Sequence, residues 1–331
     1  MKKKRMLLIL GLLALLTLAA APFIGITPVS LDDVLHPSGG STGAVVFWHI
    51  RVPRALTAFL AGSGLALGGM AFQALFRNPL ATPFTLGVSG GAAFGAALYM
   101  RLGLAFALLG IPGGTWAAFA GAALVIGLVY ALTRARGGFA TPTLLLAGVA
   151  LSFFLSSMIL ALQYSASLHD SFRLVRWLMG GLGMVGYDAV LNLLPLVVTG
   201  AIILLMLTNE LNLLSVGEDL AASRGLDVPR TKKLLFFAVS FMVGGIVAVC
   251  GPIGFVGMMA PHICRLLAGS DHRNLFPATL LFGGMFLTAC DVVARVLFAP
   301  AEIPVGVITA MIGGPFFLYL LLRRDTGRLF Q

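Results

Sequence analysis

The chain reads as an all-α, polytopic membrane protein with about ten transmembrane helices and both termini in the cytoplasm. Three observations predict that class. The composition is 59% hydrophobic and only 10% charged, with a mean hydropathy of +1.01, whereas soluble domains carry about 25% charged residues. The apolar runs approach the roughly 20 residues a spanning helix needs, and backbone in lipid must close its hydrogen bonds within helices or barrels. The charge is also gathered: segment 209–233, NELNLLSVGEDLAASRGLDVPRTKK, holds Glu210, Glu218, Asp219, Arg224, Asp227, Arg230, Lys232 and Lys233 between two long apolar runs. Such a segment belongs in water. The 41 glycines suit close helix contacts.

Taken in order, Met1–Arg5 is basic and the first span covers Met6 to Ile26. An Ala-x-Ala pattern at Ala19–Ala21 resembles a cleavage site, but the apolar run passes beyond it, so an uncleaved first helix is expected. Thr27 to Pro53 is expected to be a polar external loop, followed by span two from about Ala55 to Phe76. Pro79 and Pro83 cannot continue a helix and mark an inner turn after Arg77-Asn78. Spans three to five run from Phe84 to about Leu109, Thr115 to Thr133 and Thr143 to Gln163. Within Tyr164 to Asp188, residues Ser171 to Met179 set Arg173, Arg176 and Trp177 at helical spacing, as an interfacial helix would.

Span six is Ala189 to Thr208 and span seven, beyond the polar segment, is Leu234 to about Gly251. Pro252 to Leu267 is short for a crossing and suits a helix packed inside the bundle. Asn274 to Phe298 and Ile303 to Leu322 complete the set before the basic tail from Arg323 to Arg328. This arrangement places 16 of the 22 lysines and arginines inside, leaving Arg51, Arg54, Arg101, Arg173, Arg176 and Arg295 outside. By the positive-inside rule, segment 209–233 then faces the cytoplasm. Topology accounts for the net charge of +10 without nucleic acid, since no dense basic patch with interleaved aromatics is present. Val52-Pro53-Arg54 with Gly68-Gly69 recurs as Val228-Pro229-Arg230 with Gly244-Gly245, a faint inverted repeat of the sort transporters carry.

The motifs exclude several chemistries. Cys250, Cys264 and Cys290 lack CxxC spacing and read as packing thiols, and the five histidines show no ligand spacing. Asp291 and Arg295 stand four apart on span nine and can pair along one helix face, and no further ionisable relay suggests ion coupling. None of the five lysines ends a phosphate-binding GxxxxGK[ST] loop, so ATP must bind elsewhere. Segment 209–233 offers a partner a short helix with Glu218 and Asp219 in its first turn, small Ala221 and Ala222, then Arg224 and a terminating Gly225. The same residues would also serve as an ordinary solvated loop.

That segment resembles the FecCD permease family. So do Gly251 to Leu266 (GPIGFVGMMAPHICRL), Arg51-Val52-Pro53-Arg54, Arg77-Asn78-Pro79-Leu80-Ala81 and Glu302-Ile303-Pro304-Val305-Gly306. The family comprises membrane subunits of type II ABC importers for ferric siderophores, haem and vitamin B12, and the similarity runs from about residue 45 to 324. The resemblance implies one transmembrane permease domain over residues 1–331, in the bacterial inner membrane. It further implies a homodimer, two ABC ATPase subunits carrying ATP and magnesium, and a periplasmic or lipid-anchored binding protein, with no cofactor in this chain. Glu218 to Leu226 match the family's ATPase-coupling helices. Arg51, Arg54 and Arg295 match arginines that dock the binding protein, and Asn78, Pro79, Thr141 and Pro142 match the cytoplasmic gate. Iron-siderophore is the default cargo, with haem and cobalamin as alternatives. Two rivals use other chemistry: an ion-driven secondary transporter, and a rhomboid-like protease using Ser89 of Gly87-Val88-Ser89-Gly90 with His262 as base.

Overall fold

A computed structural model of the chain describes residues 2–37, 41–135 and 141–322. The basic tail and Arg136 lie outside these. Helix α1 (Lys2–Ala20) ends in a 3-10 turn, Ala21–Phe23, where Pro22 stops it. The segment expected to be a loop is largely helical. Ser30 caps the short α2 (Leu31–Leu35) and Ser41 caps α3 (Thr42–Val45), which runs through a π-helical turn, Val46–Arg51, into α4 (Val52–Phe76). The apolar stretch Val45 to Ile50 drives this earlier entry: Phe47 is buried against Phe23 and Trp48, so the chain gains more by packing here than by lying in water. The whole helical run Thr42–Phe76 is 35 residues long.

A 3-10 turn, Pro83–Leu86, leads to α5 (Val88–Arg101), shorter than its apolar run because Leu102 to Pro112 turn back as a small hairpin. Then come α6 (Gly113–Ala135), α7 (Thr141–Tyr164), the amphipathic α8 (Leu168–Leu178) at the predicted interfacial position, and α9 (Asp188–Met206). The polar segment folds as α10 (Thr208–Val216) and α11 (Glu218–Ser223). It is followed by α12 (Val228–Cys250), the short α13 (Val256–Ala268), α14 (His272–Val296) and α15 (Val305–Leu322). Helices thus stand at all ten predicted span positions. Seven helical segments are long and apolar enough to cross a bilayer by length and composition, those of α1, α4, α6, α7, α9, α12 and α14.

Helix α4 is the axis of the bundle, buried along most of its length and packed on α9, α12, α13 and α14. Its contacts are made by glycine. A Cβ on Gly69 would collide with the Gly257 carbonyl of α13, and one on Gly62 would collide with the Gly283 carbonyl of α14. Backbones approach this closely only where side chains are missing, which is how helices gain packing energy in lipid. The faint repeat has a structural counterpart. Both copies of Val-Pro-Arg open a long helix, α4 packs on α13, and α12 packs on α5, where Gly244 lies beside Val88. Leu12, Leu146 and Phe153 on α1 and α7 point outward, as lipid-facing residues do.

Candidate functional site

Two polar clusters sit at opposite ends of α4 and α14, each a helix of 25 residues and so about 36 Å long. One surrounds Arg54, near the start of α4 and the end of α14. The other surrounds α11, near the end of α4 and the start of α14.

At the Arg54 end the three arginines expected on the outer surface are instead enclosed: Arg51, Arg54 and Arg295 are 5%, 7% and 4% exposed. Each finds partners within the chain, although the buried Arg295 Nη1 has no hydrogen-bond acceptor. Arg54 donates from Nε to Asp291 Oδ1 at 2.9 Å and from Nη1 to Glu302 Oε2 at 2.7 Å. Arg295 Nε lies 3.2 Å from Asp291 Oδ2, so the fully enclosed Asp291 serves two guanidinium groups. The pairing of Asp291 with Arg295 read from the sequence is present, but Arg54 shares it. Arg295 also donates to the Ala21 carbonyl at 3.2 Å, and Arg51 donates to those of Pro22 and Thr27 at 3.3 and 2.6 Å. The Ala21 and Pro22 carbonyls follow directly on α1, at the negative end of its dipole. Burial is the physical reason the arginines do not face solvent. Charge at this depth persists only when paired and hydrogen-bonded.

Above Arg54 opens a cavity of about 380 Å³, lined among others by Arg54, Arg173, Arg176, Trp177 and Glu302. Its exposed cations, Arg173 and Arg176, stand on α8, whose buried Leu174 anchors the helix. The role of Glu302 was not visible in sequence spacing. Within the FecCD-like Glu302-Ile303-Pro304 motif, only its charge hinted at a partner.

At the α11 end, Gly217 at φ 153° breaks α10 from α11, a conformation that favours glycine. Glu218 and Asp219 occupy the first turn of α11, with Asp219, Leu220 and Ala222 facing solvent. Arg224 and Gly225 are also exposed, and Gly225 at φ 84° closes the helix while Leu226 N–H returns to the Ala221 carbonyl. Ala221 differs from the expectation. It is fully buried against its own chain, so the outward face of α11 is made by its neighbours.

The mount beneath α11 is firm. Glu218 accepts from the enclosed Lys232 Nζ at 2.9 Å, tying α11 to α12. On α10, Asn212 donates to Asp271 Oδ1 at 2.9 Å and accepts from the His272 N–H at 2.9 Å, while Asn209 accepts from Arg273 Nε at 2.7 Å. These bonds bolt α10 to the start of α14. They also hold the Asp271 carboxyl below its ordinary range, first through the Asn212 amide and then through the Arg273 N–H. Lys3 lies beside Gly269 at this end, so the start of α1 and the polar segment share one side of the bundle.

Two of the expected gate residues, Asn78 and Pro79, lie beside this mount. Arg77 takes a left-handed conformation at φ 48° to end α4, and its guanidinium lies beside Gly217. Asn78 follows: its side chain accepts from the Leu80 N–H at 2.9 Å, and Pro79 completes the turn. Thr141 and Pro142 open α7, whose Gly148 packs on the backbone of Thr85 and Leu86 in the 3-10 turn Pro83–Leu86. Among the described residues no hydrogen bond joins Ser89 on α5 to His262, whose buried Nε2 has no partner and whose ring sits inside α13 edge-on to Phe316. A nucleophile and base for proteolysis would need that contact.

The FecCD transport family matches residues 9–323. An uncharacterized ABC transporter permease protein, YvrB of Bacillus subtilis, is 38% identical over 298 residues, spanning 87% of this chain and 84% of that protein. The vitamin B12 import system permease protein BtuC of Salmonella typhi is 40% identical over 326 residues, spanning 96% of this chain and 95% of its own length. Among solved structures, an inward-facing metal-chelate type ABC transporter superposes with a TM-score of 0.84 at 33% identity, covering 97% of this chain and 99% of that one.

Proposed function

The chain belongs to the FecCD transport family, is a multi-pass inner-membrane transporter subunit rather than an enzyme, and from that premise we propose that it forms half of a homodimeric, ATP-driven importer for a metal chelate. In this reading the chain crosses the bilayer ten times with the α11 end in the cytoplasm, and cargo moves along the interface of two copies. The observation that carries the proposal is an exposed acidic helix on a firm mount, α11 held by Lys232 and by the bolt between α10 and α14.

Two ABC ATPase subunits, holding ATP and magnesium, would seat Asp219, Ala222, Arg224 and Gly225, while Glu218 and Ala221 join that surface to the bundle. Closure of the ATPases on nucleotide would push α11, and the push would reach the turn of Asn78 and Pro79 directly, because Arg77 lies against Gly217. Asn78 and Thr141, with Pro79 and Pro142 shaping their turns, would then close or open the inner end by short polar contacts that carry no fixed charge. At the other end a binding protein would dock over Arg54, the one of the three expected docking arginines that lines the cavity. Arg51 and Arg295 would keep that mouth in shape from below through their bonds to the end of α1.

The relatives named for vitamin B12 and the metal-chelate type structure support a bulky chelate as cargo, with cobalamin and ferric siderophores as the first two to test. Vesicles containing the chain, its ATPase and its binding protein should take up one of these only with ATP inside the ATPase compartment. Uptake by the chain alone under an ion gradient would overturn the reading in favour of a secondary transporter.

A further inference from the structure

Arg54 holds two carboxylates in very different settings. Asp291 on its Nε side is fully enclosed, whereas Glu302 on its Nη1 side is 43% exposed at the cavity mouth. Only the second can leave without dismantling the bundle. The backbone around Glu302 is fixed, since Ile303 N–H bonds to the Ala294 carbonyl and Gly306 packs on the Met179 carbonyl. Any movement would therefore be a rotation of the Glu302 side chain alone. A landing place exists in the same cavity: Arg176 is exposed and has no ion pair among the described residues, and Arg173 is held by Asp170 only at 3.9 Å.

We propose that Glu302 is a resident carboxylate that occupies Arg54 until a carboxylate from the docking binding protein replaces it. The proposal rests on the docking reading above and adds the residue that regulates it. Exchanging one carboxylate for another keeps the buried guanidinium paired at each stage, so docking avoids the cost of stranding a charge. The incoming acid gains the desolvated, fork-shaped donor on Arg54, while Glu302 moves toward the arginines of α8. Specificity follows, because an apolar or basic side chain entering the cavity would leave Arg54 with its resident partner and gain nothing.

The test uses the complete transporter, permease dimer with ATPases, in lipid nanodiscs titrated with its binding protein. Wild-type protein is measured first at low and raised salt; absence of binding, or binding indifferent to salt, would sink the docking reading itself. With wild-type docking in hand, Glu302→Gln should bind about three- to tenfold tighter. Glu302→Asp, which keeps the charge but shortens the reach to Arg54, should also tighten binding. Unchanged or weaker binding by both variants, at wild-type melting temperature, would overturn the proposal and leave Glu302 as a structural brace. Tightening by the Gln variant alone would also overturn it, since long-range charge and not occupancy would then explain the gain.

Discussion

The two ends of α14 solve the same problem, holding a long helix in place among its neighbours, with opposite chemistry. At its far end Asp291 and Arg295 join Arg54 and Glu302 in a charged cluster that is almost wholly enclosed. At its start Asp271, His272 and Arg273 are held mainly by the amides of Asn209 and Asn212, and polar groups remain in water around them. The enclosed part of that cluster, Arg54, Asp291 and Arg295, is rigid because both guanidinium groups depend on Asp291, so its loss would strand them. The amide bolt is made of bonds worth individually little, each of which can be lost without stranding a charge. The two ends of α14 thus differ in what holds them, paired charge at one and amide hydrogen bonds at the other.

The comparison can be broken most severely at Asp291. Asp291→Asn should leave Arg54 and Arg295 short of their shared partner and cost about 3–5 kcal/mol, read as loss of folded, monodisperse protein in detergent. Near-normal yield and melting temperature would show that the cluster is not the fixed end. Next come the two alanines of α11. Ala222→Trp, on the exposed face, should lower ATP-driven uptake by about tenfold or more while melting normally, since roughly 1.4 kcal/mol of lost coupling is tenfold in rate. Ala221→Trp should instead destabilise the fold by about 1–3 kcal/mol through overpacking. Similar behaviour of the two variants would erase the distinction between face and mount.

Smaller effects are expected at the bolt. Asn212→Ala removes the bonds to Asp271 and His272 and should cost about 1–2 kcal/mol in thermal or denaturant stability, less than the loss at Asp291. The weakest effect is on pH. The folded-state Asp271 carboxyl titrates below its ordinary value near 3.8, so its contribution is complete above that value and fades as pH falls through the lower, folded one. Asp271→Asn should therefore lose that contribution throughout the range above about pH 4 and little of it at strongly acid pH, which flattens the acid limb of the stability profile. A variant that instead loses stability only above pH 6 would contradict the assignment.

The helices were legible because lipid imposes a simple rule on sequence, and the polar segment because nothing else in the chain could tolerate it. The contact of Asp291 with Arg295 was legible from spacing on one helix. The contact of Arg54 with Asp291 was not, because it joins residues 237 apart and no local period encodes it. The enclosure of the arginines is hidden for the same reason: a lone arginine before an apolar run looks like a surface anchor until its partners arrive from elsewhere. The early start of the second long helix was hidden by the polar Asp32-Asp33 stretch, while Phe47 and Trp48 already carried the packing that decides it. Ala221 and Ala222 are identical in sequence terms, and only the register of α11 against α12 separates a core residue from a surface one.

The central claim is that the outward face of α11 receives the force of a nucleotide-hydrolysing partner. Cysteine cross-linking tests it most directly, with Ala222→Cys compared against Leu109→Cys, which is 85% exposed at the Arg54 end. In the assembled transporter the account predicts a covalent permease–ATPase product from position 222 whose yield changes with ATP, and none from position 109. No product at 222 from an intact complex, or equal products at both positions, would contradict it.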